Sequence, residues 1–283
     1  MTSAPPAPGP MGPVDYDRWE PRADALRADW GAASPFPHVV LDDFLDPATC
    51  RALGEEFRDV GGPGWIENRH YSQRLRSRNG RGGFGAPALA LLEELDSARF
   101  RRLVERVTGE AGLFLDGEML DGGVSAMGRG DFFDLHTDMR AHALRRRWMR
   151  RVNLIVYLTE AWCDEWNGAL ELWEPDGRRC ARAIAPRFNR AVLFEVSGRA
   201  LHGVPEPLAC PAGASRNNLV LYYFADAGRE VPITHFRYRA RPGEARRRPL
   251  VWANNAALLL YQAARRHLGV TDERVSRLLR RPR

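Results

Sequence analysis

Two histidines and one aspartate have the residue types and spacing of a metal site. His136 and Asp138 are separated by one residue in the segment Phe133–Asp138. On an extended strand, residues i and i+2 project to the same face, so an imidazole nitrogen and a carboxylate oxygen can converge on one point. A helix would splay them. Taken alone, the pair also fits a polar surface turn, and that alternative stays open.

His202 is the second imidazole, and it lies just after the predicted strand 191–196. Because its neighbours are apolar, a hydrogen-bonded core histidine is the alternative interpretation. Two imidazoles and one carboxylate are the ligand set of a non-haem iron(II) site with open positions. Zinc usually takes a tetrahedral set with more His or Cys. His142 is a competing ligand in an arginine-rich stretch, and we favour His136, Asp138 and His202.

Arg216 opens a predicted strand, 217–224, which follows His202 along the chain. A surface arginine is the alternative, but at this place a cation could reach the distal carboxylate of a ligand that chelates the metal. A buried arginine–carboxylate pair is bidentate and strong. Arg190 and Arg199 are the fallback candidates for the same role.

The charged residues restrict the classes of chemistry and of partner. The chain has 283 residues with 42 basic and 36 acidic side chains, and no lysine occurs, so every basic residue is arginine. This excludes enzymes that need a lysine, such as those that form Schiff bases. The arginines are scattered and nearly balanced by acids, so we expect no nucleic-acid partner. No run of 18 apolar residues predicts a membrane span, and four cysteines without a CxxC spacing suggest a reduced, cytoplasmic protein.

The sequence changes character along its length, from helical to strand-rich and back. Residues 48–60 and 86–110 have apolar residues at helical spacing, and Asp46-Pro47 is a helix-start signal. Between them, the Gly- and Arg-rich residues 61–85 predict a mobile surface loop. Six short apolar runs between 124 and 238, separated by turn residues, predict a sandwich or barrel of strands with packed helices. We divide the chain into a disordered segment 1–13, which is not a secretory signal, a helical part 14–111, a β core 112–240 and basic helices 241–283.

Residues 37–226 resemble the prolyl-4-hydroxylase-like branch of the 2-oxoglutarate- and iron(II)-dependent oxygenases. The resemblance rests on ordered segments: Pro37–Leu45, His136–Asp138, Arg151–Leu158, Trp166–Trp173, Pro186–Arg190, His202–Val204, Arg216 and Leu219–Phe224. It implies a mainly β fold with flanking helices, a double-stranded β-helix or jelly roll. It also implies iron(II) held by His136, Asp138 and His202. Arg216 and Tyr157 would bind 2-oxoglutarate, with Tyr222 lining the pocket, and dioxygen would be the oxidant.

The resemblance further implies a hydroxylase, because chlorine-transferring enzymes of this fold lack the carboxylate ligand that Asp138 provides. In relatives, the segment before the jelly roll covers the active site, so residues 61–85 are expected to act as a lid. The expected substrate contacts are Asn68, Arg69, Tyr71, Arg140 and His142. These donors suit a polar or anionic small molecule of biosynthesis: a sugar, cyclitol, amino acid or carrier-bound intermediate. The alternatives are a peptidyl (prolyl-type) hydroxylase, a nucleic-acid demethylase and a catalytically silent scaffold, and a homo-oligomer is compatible with all of these.

Overall fold

The computed structural model describes residues 12–232 and 234–268. Its helices lie mostly before the main sheet in the chain: α1 (Tyr16–Trp19), α2 (Ala23–Ala32), α3 (Pro47–Glu56), α4 (Ala86–Leu95), α5 (Ala98–Thr108) and α6 (Arg248–Leu268). The strands are β1 (His38–Leu41), β2 (Ile66–His70), β3 (Gln73–Arg78), β4 (Phe114–Leu115), β5 (Gly123–Met127), β6 (Phe132–Thr137), β7 (Trp148–Tyr157), β8 (Leu170–Trp173), β9 (Cys180–Ile184), β10 (Ala191–Glu195), β11 (Leu201–Val204), β12 (Arg216–Asp226) and β13 (Arg237–Tyr238).

All these strands join one antiparallel sheet. Its main path runs β1-β10-β7-β12-β5-β3-β6-β11-β8-β9, while β4 pairs with β12, β2 with β3 and β13 with β6. The sheet curls, so that β7 and β10 face β8 across an apolar layer that includes Ile155, Leu172 and Phe194. The two end strands meet: the Arg182 guanidinium on β9 lies 2.9 Å from Nε2 of His38 on β1. This contact closes the seam of the curled sheet.

Side chains along the central strands point alternately to the hydrophobic core and to the cavity inside the curled sheet. On β12, Leu219, Leu221 and Tyr223 belong to the large core that the sheet shares with helices α2 to α5. The intervening residues of β12 face the opposite way and line the cavity. Because side chains of a strand alternate between faces, each central strand serves both purposes. The helices therefore stiffen one face of the sheet and leave the other free for a site.

The helix-start signal at Asp46-Pro47 is confirmed: Asp46 Oδ2 accepts a hydrogen bond from the Thr49 backbone N–H, 2.9 Å away, at the first turn of α3. The helical region 86–110 is divided in two. Asp96 ends α4, and Ser97 caps α5 by accepting a hydrogen bond from the Phe100 N–H. A serine side chain that satisfies a free N–H favours a new helix start.

The largest difference from expectation concerns residues 61–85, which we predicted to be a loop. Residues 66–78 instead form a hairpin of β2 and β3, and β3 pairs with both β5 and β6. Leu75 is buried, while its strand neighbours Arg74 and Arg76 are exposed. With one apolar residue on the buried face, the alternation is too weak to recognise in the sequence. The hairpin bridges the two halves of the curled sheet.

The expected strand 233–238 is reduced to β13, and Ile233 lies outside the described residues. The predicted basic helices after residue 241 correspond to α6 as far as Leu268. Residues 269–283 lie outside the described residues, as do residues 1–11 of the segment that we expected to be disordered. In the described part of the chain, no helix combines the length and apolar character needed to cross a bilayer.

Candidate active site

His136 and His202 are brought together by strand register. They are direct partners in the antiparallel β6–β11 pair, and their ring centroids lie 4.4 Å apart. Gly203 allows this pairing, because a Cβ at that position would lie 2.8 Å from the Phe133 carbonyl oxygen. Side chains at directly opposite positions of a ladder share a face. Both imidazoles therefore point into the cavity inside the curled sheet.

Each imidazole is oriented by its own backbone. Nδ1 of His136 lies 2.8 Å from the Asp134 carbonyl oxygen, and Nδ1 of His202 lies 2.9 Å from the Ala200 carbonyl oxygen. A carbonyl only accepts, so Nδ1 carries a proton in both rings, and Nε2 is the nitrogen of each ring that could bind a metal. Burial, followed by the nearby His136, lowers the pKa of His202 to about 4. Neutral rings with a fixed tautomer are the form in which histidine binds metals.

Asp138 completes the group directly after β6. Its Oδ1 lies 3.7 Å from His136 Nε2, and its Oδ2 lies 3.9 Å from His202 Nε2. Asn153 donates to Oδ2 over 3.0 Å, and the Tyr222 hydroxyl donates to Oδ1 over 3.3 Å. Burial opposes ionisation, but the interactions with His202 and His136 outweigh it and hold the pKa of Asp138 below its usual range. The carboxylate is therefore ionised and oriented.

These three side chains fit a divalent metal by the chemistry of their donors. One ligand atom from each of His136, Asp138 and His202 lies within 4.8 Å of the others, and all three residues are buried. Three electron-pair donors that converge on one point in a buried cavity suit a single metal ion. Two neutral nitrogens and one carboxylate suit iron(II) and leave positions open for other ligands. Within the described residues, this is the group of His, Cys, Asp and Glu that meets these distances.

Arg216 is a buried cation whose described hydrogen-bond partners are all neutral. It is 3 % exposed, and its guanidinium donates to the Gly168 carbonyl (2.8 Å), Asn218 Oδ1 (2.7 Å) and the Tyr157 hydroxyl (3.4 Å). Among the described residues, the groups that contact the guanidinium are a carbonyl, an amide and a phenol, and none is a carboxylate. Burial lowers the pKa of Arg216. Since an uncompensated buried charge is costly, this arrangement favours an anionic ligand beside the guanidinium.

The turn before β8 is shaped around this arginine. Gly168 has φ +89°, and a Cβ there would lie 3.1 Å from Arg216 Cδ and 3.2 Å from the Trp162 ring. The glycine therefore provides both the left-handed backbone and the space that the arginine stem occupies. The Arg216 guanidinium also lies over the Tyr157 ring, 4.9 Å from its centroid.

One cavity connects the three metal-ligand candidates with Arg216. Its walls come from β5, β6, β7, β8, β11 and β12, and its apolar lining includes Met127, Ile155, Leu170 and Val220. Tyr222, which the resemblance places in the pocket, is also part of the lining of this cavity. A small dicarboxylate could place one end at the metal and the other at the guanidinium, in surroundings that are mostly apolar. This geometry fits a chelating co-substrate such as 2-oxoglutarate.

The predicted substrate contacts do not converge on this cavity. His142 is fully buried, and its Nε2 lies 3.3 Å from Asp116 Oδ2, so it faces neither the candidate metal ligands nor solvent. Arg140 is exposed beside Met149. Asn68 bonds to Ser77 across the hairpin, Arg69 pairs with Glu67, and Tyr71 contacts Arg247. The fallback Arg190 pairs with Asp42, and Arg199 is an exposed turn residue.

Three aromatic side chains that the sequence analysis did not single out surround the ring of His136. Phe133 stacks on His136 with centroids 4.0 Å apart, and Phe236 and Tyr238 lie 5.4 and 5.6 Å from the same ring. Tyr238 donates to Gln73 on the hairpin, 2.8 Å away. The position of Phe133 near His136 could have been predicted, because the two residues are three apart in the same strand. The residues of β13 become neighbours of His136 only because β13 pairs with β6, which is distant in the sequence. No local sequence pattern could have predicted this.

Comparison with known proteins agrees with this geometry. Residues 122–224 match the family model described as the 2OG-Fe(II) oxygenase superfamily, a span that contains all three metal-ligand candidates and Arg216. No curated protein sequence matches the chain.

Several solved structures share the fold. A prolyl-4-hydroxylase of Pseudomonas putida is 22% identical with a TM-score of 0.55, and the match covers 72% of this chain and 98% of that one. A prolyl hydroxylase of Trichoplax adhaerens, solved with a peptide of a hypoxia inducible factor, is 19% identical with a TM-score of 0.55, covering 74% and 91%. A prolyl 4-hydroxylase of Phytophthora capsici is 18% identical with a TM-score of 0.51, covering 92% and 82%. The expected jelly roll, mainly β with flanking helices, is confirmed.

Proposed function

Since this chain is a 2-oxoglutarate-dependent dioxygenase of the 2OG-Fe(II) oxygenase superfamily, we propose that it hydroxylates an unactivated C–H bond of a polar small molecule. The observation that carries the proposal is one cavity with two complementary ends. His136, Asp138 and His202 stand at one end, and the buried guanidinium of Arg216, whose described partners are neutral, stands at the other. This arrangement fits a metal ion chelated by an anionic co-substrate.

Each residue of the cavity has a distinct task in this proposal. Nε2 of His136 and of His202 and the carboxylate of Asp138 hold iron(II), and Asn153 keeps Asp138 oriented. Arg216 and Tyr157 bind the distal carboxylate of 2-oxoglutarate. Iron(II) and 2-oxoglutarate, when bound, supply the oxidising chemistry, in which dioxygen is consumed and succinate and carbon dioxide are released. The apolar lining, which includes Ile155 and Leu170, limits the access of water to that chemistry.

The proposed substrate is a sugar, cyclitol, amino acid or carrier-bound intermediate of a biosynthetic reaction in the cytoplasm. Polar groups near His136 support a polar molecule: the Tyr238 hydroxyl and His70 Nε2 both lie within hydrogen-bond distance of Gln73 Oε1. Tyr238 is the β13 side chain beside His136, with ring centroids 5.6 Å apart. We propose that the hairpin covers the substrate from this side.

A peptidyl hydroxylase is the second candidate, and a specific observation favours it. The rings of Phe133, Phe236 and Tyr238 surround His136 on one side. Aromatic faces of this kind suit a saturated ring such as that of proline. The named activities of the similar structures, which are prolyl hydroxylases, point in the same direction, although at these identities they show the fold alone.

A nucleic-acid substrate is less well supported by the placement of charge. Exposed arginines are paired with neighbouring acids at several separate places on the surface, among them Arg99–Glu20, Arg106–Asp24 and Arg147–Asp226. A binding face for a phosphate backbone needs several cations free to neutralise phosphates. Retention on single- or double-stranded DNA at low salt would reverse this judgement.

The test is succinate formation from 2-oxoglutarate, measured with amino acids, proline-containing peptides, sugars and cyclitols. We expect activity with iron(II) in the native protein, stimulation by one substrate class, and none with Asp138→Ala. Glu110→Gln is the matched control, since Glu110 is a partly buried carboxylate on the opposite face of the sheet, paired with Arg151. Turnover by Asp138→Ala at the native rate would refute the assignment. Stimulation by peptides alone would select the second candidate.

A further inference from the structure

A β-bulge aims an arginine at the candidate metal site. Along the β7–β12 pair, Val152 opposes Tyr223, but the next pair is Arg150 with Phe224, so Arg151 is an extra residue on β7. A bulge reverses the alternation of the strand beyond it. Arg150 therefore faces the same side as Asn153 and Tyr222, whereas Arg151 points outward to Glu110.

Arg150 is held there by a buried ion pair. Its side chain is 1 % exposed, and one terminal nitrogen lies 2.8 Å from Oδ2 of Asp121, which is 2 % exposed. Asp121 Oδ2 also accepts a hydrogen bond from the Ala143 backbone N–H over 2.8 Å. A buried pair contributes little net stability compared with apolar residues, so its presence calls for another reason.

The other contacts of Arg150 lead to Asp138 by two routes. Its second terminal nitrogen donates to the carbonyl of Met139, the residue directly after Asp138, over 2.9 Å. Its guanidinium also lies 4.3 Å from the centroid of the Tyr222 ring, and the hydroxyl of that ring donates to Asp138 Oδ1. The guanidinium of Arg150 thus contacts both the backbone next to Asp138 and the tyrosine ring whose hydroxyl bonds to the Asp138 carboxylate.

We infer that Arg150, anchored by Asp121, is a positioning residue that fixes the carboxylate of Asp138 for metal binding, partly through Tyr222. The inference rests on the proposed function, because it takes Asp138 as a ligand. The guanidinium is suited to this task because it is flat enough to stack on a ring and forked enough to bond to Asp121 and Met139 at once. A lysine could keep the charge opposite Asp121 but would lose the stack and the second bond.

The experiment measures the affinity of the full-length apo-protein for Co(II), from the visible absorption of the complex. Residues that orient metal ligands typically change metal affinity by about 10- to 100-fold, and we expect Arg150→Lys to weaken Co(II) binding within that range. Tyr222→Phe, which removes one hydroxyl, should weaken it less and leave the fold intact. Both variants should also shift the Co(II) absorption bands, because the carboxylate is no longer held in one orientation.

Arg151→Lys is the matched control: it changes the adjacent arginine on the opposite face, where the partner is Glu110. We expect its Co(II) affinity and spectrum to be native. If Arg150→Lys and Tyr222→Phe lower the melting temperature but bind Co(II) with native affinity and spectrum, Arg150 is merely structural and the inference is overturned. The variant Asp138→Ala distinguishes a failure of the proposed function from a failure of the positioning role. Native Co(II) affinity in that variant contradicts the proposed function itself, whereas loss of binding there with native Arg150→Lys contradicts the positioning role alone.

Discussion

His136 and His202 face each other directly across the β6–β11 ladder, although 65 positions separate them in the chain. The distance between their rings is set by the register of two hydrogen-bonded strands, and each ring is fixed by a backbone carbonyl two residues before it. The imidazole geometry is therefore set by the backbone of these two strands. A site of this kind is preorganised, so a metal should bind without refolding of the strands.

The first prediction separates the candidate metal ligands from the competing histidine. His202→Ala should abolish the binding of Co(II), because two donors remain and the open side of the site widens. His142→Ala should leave metal binding intact but lower stability, since it removes a buried ring that packs on Trp148 and bonds to Asp116. Losing a buried aromatic ring of this size typically lowers the free energy of unfolding by about 2–4 kcal/mol. Metal titration and urea unfolding measure the two effects.

A reversed pattern, with metal binding lost in His142→Ala and kept in His202→Ala, would replace our ligand set by the competing one.

The second prediction concerns the unpaired charge of Arg216. Arg216→Met should change the stability of the ligand-free protein little, because removing a desolvated cation offsets the loss of its hydrogen bonds. The native protein with Mn(II), at a 2-oxoglutarate concentration of about 100 times the Kd, should gain about 2.7 kcal/mol in the free energy of unfolding. The variant should gain none. Thermal unfolding with and without 2-oxoglutarate is the measurement.

Arg190→Gln is the control for Arg216, because Arg190 pairs with Asp42 and was the fallback candidate. If Arg190→Gln loses the stabilisation by 2-oxoglutarate while Arg216→Met keeps it, the fallback is the true anion site.

The third prediction uses two glycines that share a backbone conformation and differ in their surroundings. Gly168 (φ +89°) is crowded by Arg216 and Trp162, whereas Gly213 (φ +86°) has open space around it. Alanine at either position should reduce the free energy of unfolding by about 1–2 kcal/mol through backbone strain. Only Gly168→Ala should also weaken 2-oxoglutarate binding, because its Cβ displaces the arginine stem. Calorimetric titration of both variants with 2-oxoglutarate decides between them; equal affinities would show that the turn does not position Arg216.

The fourth prediction follows from the seam of the sheet. Nδ1 of His38 donates to the Phe36 carbonyl, so Nε2 accepts from Arg182 and the ring must be neutral. Burial and, to a smaller extent, the charge of Arg182 lower the pKa of His38 below 6.5. As pH falls below 6.5, the unfolded chain therefore takes up a proton at His38 before the folded chain does, and stability decreases by at most about 1.4 kcal/mol per pH unit. Above 6.5 this contribution is fully present.

His38→Gln lacks this titration, so the difference in unfolding free energy between the native protein and the variant should be constant above pH 6.5 and shrink as the pH is lowered. Urea unfolding at a series of pH values measures it. A difference that stays constant across the acid range would show that His38 has the same pKa in both states.

The sequence predicts the chemistry of this protein better than it predicts the groups that surround the chemistry. His136, Asp138, His202 and Arg216 each stand next to recognisable strand or turn signals, and their residue types restrict what they can do. Of the strands that carry them, β12 was predictable as a long apolar run, whereas β6 and β11, which carry His136 and His202, are shorter and were not among the predicted strands. The site itself nevertheless depends on pairings such as β6 with β11, whose register no local pattern specifies.

The features that the sequence did not predict have two causes: strands whose polar and apolar residues alternate weakly, and pairing between strands that are distant in the sequence. The hairpin of β2 and β3 has arginines on its exposed face and buries few apolar residues, so its composition indicated a loop. Tyr238 comes to lie opposite His136, and Gln73 opposite Phe133, only through pairings of β13 and β3 with β6. Arg150 could not be assigned a direction, because simple alternation from Asn153 places it on the opposite face and only the bulge at Arg151 reverses it. His142 was predicted to contact the substrate, but its ring does not face the cavity because Asp116 and Trp148 enclose it.

The two faces of β12 have a consequence for how the chain finds its fold. Leu219, Leu221 and Tyr223 pack against the helices, while Arg216, Asn218 and Tyr222 occupy the cavity. A slip of one residue between β12 and its neighbours would exchange these sets, placing a guanidinium among leucines and leucines beside the candidate metal ligands. The residues that we propose to recognise the co-substrate would thus also penalise misaligned sheets. Replacing them with apolar groups would remove activity and, at the same time, a safeguard against misfolding.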